Sequence, residues 1–217
     1  MAQRISLKEI ERRAWTSFYQ DGLWDIFLGL LLLAMAISAL LSDTGMSEAA
    51  SMLIYFGLVL LALLALWAGK RLITVPRMGR VKFGPKRKRK LNKVRVILAL
   101  SVLVGMALFL AAQSVAGNLS RWMTLELIFP AGWMVNCLVV FSLMAYFLDF
   151  SRLYVVGVMY AIPVPLEIMQ RQFTSIDLTF FTFGVPAAVI LLMGAAVFVR
   201  FLRKYPLSAE VSLDRNS

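Results

Sequence analysis

The chain has 217 residues, a net charge of +11 and no histidine. Hydrophobic residues make up 60% of it and charged residues only 16%, whereas soluble domains average about 45–50% and about 25%. This composition predicts an integral membrane protein. The absence of histidine excludes His-ligated metal centres, Ser-His catalysis and histidine proton relays. Cys137 is the only cysteine, so an intrachain disulfide is excluded as well.

The first twenty residues have the pattern of an amphipathic helix. Ser6 and Glu9 have the spacing of a capping box, and apolar side chains between Leu7 and Phe18 recur on one face. We expect residues 1–20 to form an interfacial helix along the inner leaflet, with a solvated tail as the alternative. No cleavable signal peptide is predicted, because no small-residue cleavage site follows the first apolar run.

Six apolar segments follow, most of them close to the roughly 20 residues that cross the hydrocarbon core. We place them at residues 23–41, 49–68, 94–115, 125–148, 153–166 and 178–202. The third is expected to be the end of a longer helix that begins near Pro85. The fifth is short and is interrupted by Pro163 and Pro165, so a half-helix or re-entrant segment is an alternative there. The predicted fold is all-α, with a single polytopic domain of six transmembrane helices over residues 1–217.

The connection between the second and third segments, residues 70–95, carries twelve Lys and Arg residues and no acid. We call it the basic segment and expect it to be a cytoplasmic loop, because moving so much positive charge across the membrane is strongly disfavoured. With both termini and the tail 204–217 inside, 21 of the 23 cations are cytoplasmic. Only Arg121 and Arg171 then lie outside. The predicted topology is therefore N-in and C-in, and we expect a bacterial or archaeal plasma membrane.

The densest run of the basic segment consists of Lys86, Arg87, Lys88, Arg89 and Lys90. At a membrane surface each such cation contributes about 1 kcal/mol of attraction to anionic lipid headgroups. A nuclear-localisation or nucleic-acid patch is the alternative for a run of this kind. Because the run adjoins spanning segments, we favour lipid headgroups as its partner and expect no nucleic acid.

Asp21 and Asp25 stand four residues apart at the inner end of the first segment, so both carboxylates would share a helix face. An acid at the bilayer centre costs about 2.5–3.5 kcal/mol and less at the interface, so Asp25 should find a cation or water. Lys70 and Arg71 end the second segment on the same side, and we expect one of them to pair with Asp25. We favour a structural charge clamp of these four residues over a cation or proton site open to the cytoplasm.

A second candidate site lies in the outer half of the last three segments, where prolines free backbone carbonyls that can line a cavity. The residues of this predicted outer vestibule are Glu126, Pro130, Pro163, Pro165, Glu167, Asp177 and Pro186, with Arg171 at the same level. The alternative is ordinary membrane prolines beside exposed loop charges. Near mid-membrane, Asn136 is expected to hydrogen-bond to a neighbouring helix rather than to bind a ligand.

The sequence contains no Walker A motif, dinucleotide-binding loop, metal-binding pair or nucleophile elbow, so we predict no cofactor and no enzymatic activity. In layout the chain is similar to the membrane subunits of ABC-2-type exporters, which have an elbow helix, six spans and a cytoplasmic coupling element after the second span. We expect a permease-like transporter subunit that acts as an oligomer or with a partner. The alternative is a non-transporting regulator or scaffold whose basic segment binds anionic lipid or a cytoplasmic protein.

Overall fold

A computed structural model of the protein describes residues 19, 21–78, 85–115, 128–173 and 178–206. Throughout this described part the regular elements are helices: α1 (Leu23–Asp43), α2 (Glu48–Gly69), α3 (Val75–Met78), α4 (Pro85–Val115), α5 (Phe129–Leu148), α6 (Arg152–Ala161), α7 (Pro163–Phe173) and α8 (Thr179–Lys204). A π-helical turn, Lys70–Thr74, joins α2 to α3. Six helical stretches are long and apolar enough to cross a membrane. This confirms the predicted all-helical class and the number of membrane-capable helices.

The basic segment is largely helical and not the loop we expected. The π-helical turn and α3 carry the second span on to Met78, and α4 begins at Pro85, where a long third helix was predicted to start. Proline is well suited to the first turn of a helix, and the Lys and Arg residues after it are good helix formers. Residues 79–84 lie outside the described residues, as does the predicted interfacial helix over 1–20 except for Tyr19.

The fifth span is longer than predicted and continues through its prolines. Its two helices, α6 and α7, are separated by the single residue Ile162 and extend to Phe173. The backbone N–H of Ile162 donates to Val158 at 3.2 Å, and that of Leu166 donates to the Ile162 carbonyl at 3.1 Å. Because Pro163 begins α7, it takes a position where its missing N–H does little harm. The helix is therefore interrupted at one residue and does not end as a half-helix.

The pair α1 and α8 forms the centre of the helical bundle. Leu32 and Ala36 of α1 and Ala187 and Ile190 of α8 are buried within one hydrophobic core. α2 packs mainly on α1, and α4 packs mainly on α5. Large apolar side chains along α2 and α4 are exposed, as expected for helices whose outer faces meet lipid.

Candidate functional site

Three helices, α1, α4 and α6, begin at the same end of the bundle where α2, α5 and α8 terminate. We call this end of the bundle the basic end. The Asp21 carboxylate is fully buried there and accepts three hydrogen bonds from the described residues. Lys70 Nζ and Thr74 Oγ1 donate to Oδ2 at 2.6 and 2.8 Å, and the backbone N–H of Leu23 donates to Oδ1 at 3.2 Å. Asp21 and Lys70 are thus brought together, as the charge-clamp interpretation requires. Thr74 was not among the predicted site residues, although it follows Lys70 by about one helical turn.

Asp25 is also fully buried, but its ion pair is with a residue that we did not predict. Arg152 Nη2, at the start of α6, lies 3.2 Å from Asp25 Oδ2. The expected pairing with Lys70 or Arg71 is therefore wrong. Lys70 pairs with Asp21, and the Arg71 guanidinium lies over the Trp67 ring of α2.

The backbone at Gly22 explains this difference. Gly22 has a left-handed φ of 81°, and α1 begins only after it, at Leu23. Asp21 therefore precedes the helix, and it does not share a helix face with Asp25 as the four-residue spacing implied. Asp21 faces the end of α2, whereas Asp25 lies beside Gly194 of α8, where an added Cβ would be 3.0 Å from Asp25 Cβ.

The Asp25–Arg152 pair is held by charge rather than by hydrogen bonding. Among the described residues, neither carboxylate oxygen of Asp25 has a hydrogen-bond partner, and the same is true of Arg152 Nη2. The Arg152 side chain is 21% exposed, and its guanidinium carbon lies 4.9 Å from the ring centroid of Phe150. An arginine has five N–H donors, so this guanidinium keeps donors for a further partner.

Arg77 of α3 caps the C-terminal end of α8. Its Nη1 donates to the carbonyl oxygens of Tyr205 at 2.8 Å and of Leu202 at 3.4 Å. The last carbonyls of a helix lack partners within the helix and carry partial negative charge, so a cation is well placed there. Sequence reasoning treated Arg77 only as one of many cations and did not indicate this role.

Two cations of the predicted lipid-binding run are engaged within the protein. Arg87 Nη1 and Lys90 Nζ donate to Oδ2 of Asp149 at 3.0 and 3.1 Å. Burial alone would raise the pKa of Asp149, but the hydrogen bonds and charges of these two cations outweigh it and hold that pKa below its ordinary value. Lys88 and Arg89 are exposed, and the Lys86 side chain lies outside the described residues.

The predicted outer vestibule is described only in part, since Glu126 and Asp177 lie outside the described residues. Its four prolines are distributed over three helices: Pro130 in α5, Pro163 and Pro165 in α7, and Pro186 within α8. Glu167 accepts hydrogen bonds from Arg171 at 2.8 Å and from the Thr179 hydroxyl at 3.4 Å. This carboxylate is thus engaged within the protein, and the vestibule stays a prediction.

A cavity of about 510 Å³ lies between α4, α5 and α6, beside Leu28 of α1. Asn136, which lines it, donates to the Ser101 hydroxyl of α4 at 3.0 Å, and this confirms the predicted bond to a neighbouring helix. Trp133 Nε1 donates to the Tyr160 carbonyl at 3.0 Å. The Tyr160 hydroxyl donates to the Leu28 carbonyl at 2.5 Å. Sequence reasoning missed the cavity, because only the tertiary packing brings these helices together.

Apart from the charge clamp, the concave sites in the described part of the chain include this apolar cavity and a cationic cavity at the basic end lined by Arg152, Arg200 and Lys204. Neither could be assigned by likeness to another protein. Comparisons of the chain with protein-family models, with curated proteins and with solved structures found no match.

Proposed function

We propose that the protein is a permease-like membrane subunit that takes up an apolar or amphiphilic molecule from the bilayer. The observation that carries this proposal is the cavity between α4, α5 and α6, which lies beside the interruption of the fifth span at Ile162. Transporters commonly bind their substrates near the bilayer midplane, next to discontinuous helices. A volume of about 510 Å³ is also within the range of about 300–1,000 Å³ that is typical of ligand pockets.

The lining of this cavity favours an apolar occupant. Its walls include Val140, Phe141 and Met144. Its polar side chains are largely satisfied within the protein, since Asn136 is bonded to Ser101 and the others donate to backbone carbonyls. A ligand there would be selected by shape and dispersion more than by hydrogen bonds.

The arrangement of α4 supports an oligomer or a partner subunit as part of this proposal. α4 borders the cavity and packs mainly on α5. A second copy of the chain, or another membrane subunit, against the outer side of α4 would close the cavity from that side. The alternative function, a regulator or scaffold whose basic segment binds lipid or a cytoplasmic protein, rests on the exposed side chains of Lys88 and Arg89.

The proposal includes a topology in which both termini and the basic segment face the cytoplasm, because 21 of the 23 cations then lie inside. In a Cys137→Ser background, Met46→Cys should react with an impermeant maleimide in intact cells, because Met46 lies in the exposed turn between α1 and α2. Arg89→Cys should react only after the cells are opened. The reverse labelling pattern would overturn the topology.

The cavity can be tested by photochemical labelling from the bilayer. The protein is reconstituted in vesicles that contain a phosphatidylcholine with a diazirine near the end of one acyl chain. We expect labelled peptides from the cavity wall around Trp133 and Cys137, in addition to the exposed face of α8 around Val185 and Val189. Gly105→Leu, which fills the cavity from α4, should remove most of the cavity labelling and leave the α8 labelling unchanged.

The matched control is Gly57→Leu in α2. A Cβ at Gly57 or at Gly105 would meet no atom within 4 Å, so both variants add the same bulk to open space, but only Gly105 lines the cavity. Equal labelling of the cavity wall in the Gly105→Leu variant and the unchanged protein would contradict the permease proposal. The regulator or scaffold function would then be favoured.

A further inference from the structure

We infer that the basic end carries a binding site for a phosphate group, in a second cavity between the start of α6 and the end of α8. This cavity has a volume of about 310 Å³, and its polar lining consists of Ser151, Arg152, Arg200, Lys204 and Tyr205. Among the described residues that line it, three are cations and none is acidic. The site is separate from the apolar cavity, and it does not depend on transport.

Arg152 is the residue that makes this cavity more than a cationic surface. It is held in position by the buried carboxylate of Asp25 at 3.2 Å, but that carboxylate accepts no hydrogen bond from any described residue. The Arg152 side chain is 21% exposed and lines the cavity, whereas its Nη2, beside Asp25, is buried. Arginine presents its donors in a planar fork that matches phosphate oxygens, so an anion in the cavity would accept hydrogen bonds from the donors that do not face Asp25.

The end of α8 adds two cations on one face. Arg200 and Lys204 are four residues apart, and residues at this spacing lie one above the other on a helix. Both line the cavity, whereas Arg203, between them in sequence, does not. A cation at a helix C-terminus is favoured by the helix dipole alone. The convergence of these two with Arg152 from another helix instead points to an anionic ligand, because concentrated like charges repel one another until an anion binds.

The phosphate group could belong to a lipid or to a molecule in solution. α6 begins and α8 ends at this cavity, and both belong to membrane-capable stretches, so the cavity would lie near the level of the lipid headgroups. Free phosphate would reach the same site from the aqueous side. A lipid headgroup and free phosphate would be recognised by the same cationic side chains. They differ in whether binding needs an acyl chain.

The first arm of the test measures lipid retention by native mass spectrometry of the full-length protein in detergent. We expect phosphatidylglycerol to be retained in preference to phosphatidylcholine. Arg200→Gln should weaken this retention by about tenfold, the effect of losing one charge-assisted contact. Arg203→Gln is the matched control, because it removes the same charge from an exposed arginine of the same helix outside the cavity. Equal effects of the two variants, or no preference for the anionic lipid, would overturn the inference.

The second arm titrates inorganic phosphate against the protein–phosphatidylglycerol complex. Displacement of the lipid by phosphate, with the same dependence on Arg200, would show that the free anion suffices. Retention of the lipid at high phosphate concentration would identify a lipid headgroup site. Asp25→Asn should strengthen retention, because it releases Arg152 from its competing charge, whereas damage to the fold would weaken it. Weaker retention in this variant, when it still unfolds cooperatively in detergent, would show that Arg152 is not shared between Asp25 and an anion, and the inference would fail.

Discussion

Gly22→Ala is expected to lower the free energy of unfolding by about 2–5 kcal/mol. Gly22 has a left-handed φ of 81°, which costs a residue with a side chain about 1–2 kcal/mol. A Cβ there would also lie 2.5 Å from the carbonyl oxygen of Gly194 and 2.7 Å from the backbone nitrogen of Phe198. Both atoms belong to the α8 backbone and cannot rotate away, and overpacking of this kind costs about 1–3 kcal/mol. Unfolding in mild detergent, by heat or by added denaturing detergent, measures the loss.

Two other glycines separate the contributions to this loss. Gly45 has the same φ of 81°, but an added Cβ would meet nothing within 4 Å. Gly45→Ala should therefore lower the free energy of unfolding only by the cost of the left-handed backbone, about 1–2 kcal/mol. Gly57 is helical and open, and Gly57→Ala should be neutral or slightly stabilising. If Gly22→Ala destabilised the protein no more than Gly45→Ala, the close contact of α1 with α8 would not depend on the absence of a side chain.

Arg152→Gln is expected to lower the free energy of unfolding by about 3 kcal/mol, the low end for breaking a buried ion pair, because Arg152 is partly exposed. It leaves the fully buried carboxylate of Asp25 without a charge partner. Asp25→Asn should be milder, at about 1 kcal/mol, since the freed Arg152 can turn toward the cavity that it lines. The double variant should recover much of the Arg152→Gln loss. A double-mutant cycle on unfolding in detergent measures this coupling.

Lys70 provides the matched control for this cycle. Its ion pair is with Asp21 at 2.6 Å, so Lys70→Gln and Asp25→Asn should have additive effects. Coupling of Asp25 with Lys70 instead of Arg152 would contradict the observed pairing and restore the expectation from sequence.

The features that could be predicted from the sequence are those that depend on local composition. Apolar runs of spanning length indicated the six membrane-capable helices, and the proline at residue 85 marked the start of α4. Asn136 could be expected to seek a partner on another helix, because an unsatisfied amide is disfavoured in hydrocarbon. Each of these expectations depends on a single segment of the chain considered alone.

The features that could not be predicted depend on how segments meet. Placing Asp25 opposite Arg152 requires knowing that Gly22 is left-handed and that α1 starts after it, which rotates Asp21 away from Asp25. The close approach of Gly22 to Gly194 joins residues from opposite ends of the chain. Both cavities are likewise bounded by side chains from more than one helix, which only the tertiary packing brings together.

The π-helical turn between α2 and α3 also sets the rotational phase of α3. Its closing hydrogen bond, from the N–H of Val75 to the carbonyl of Lys70, spans one residue more than an α-helical bond does. The same residues wound as regular α-helix would rotate everything beyond the turn by about 100°, and Arg77 would point away from the carbonyls of Leu202 and Tyr205. A chain one residue shorter within the turn could instead continue as regular α-helix with both Lys70 and Arg77 in their present places. The wider turn therefore accommodates one additional residue and keeps the second span in contact with the end of the sixth.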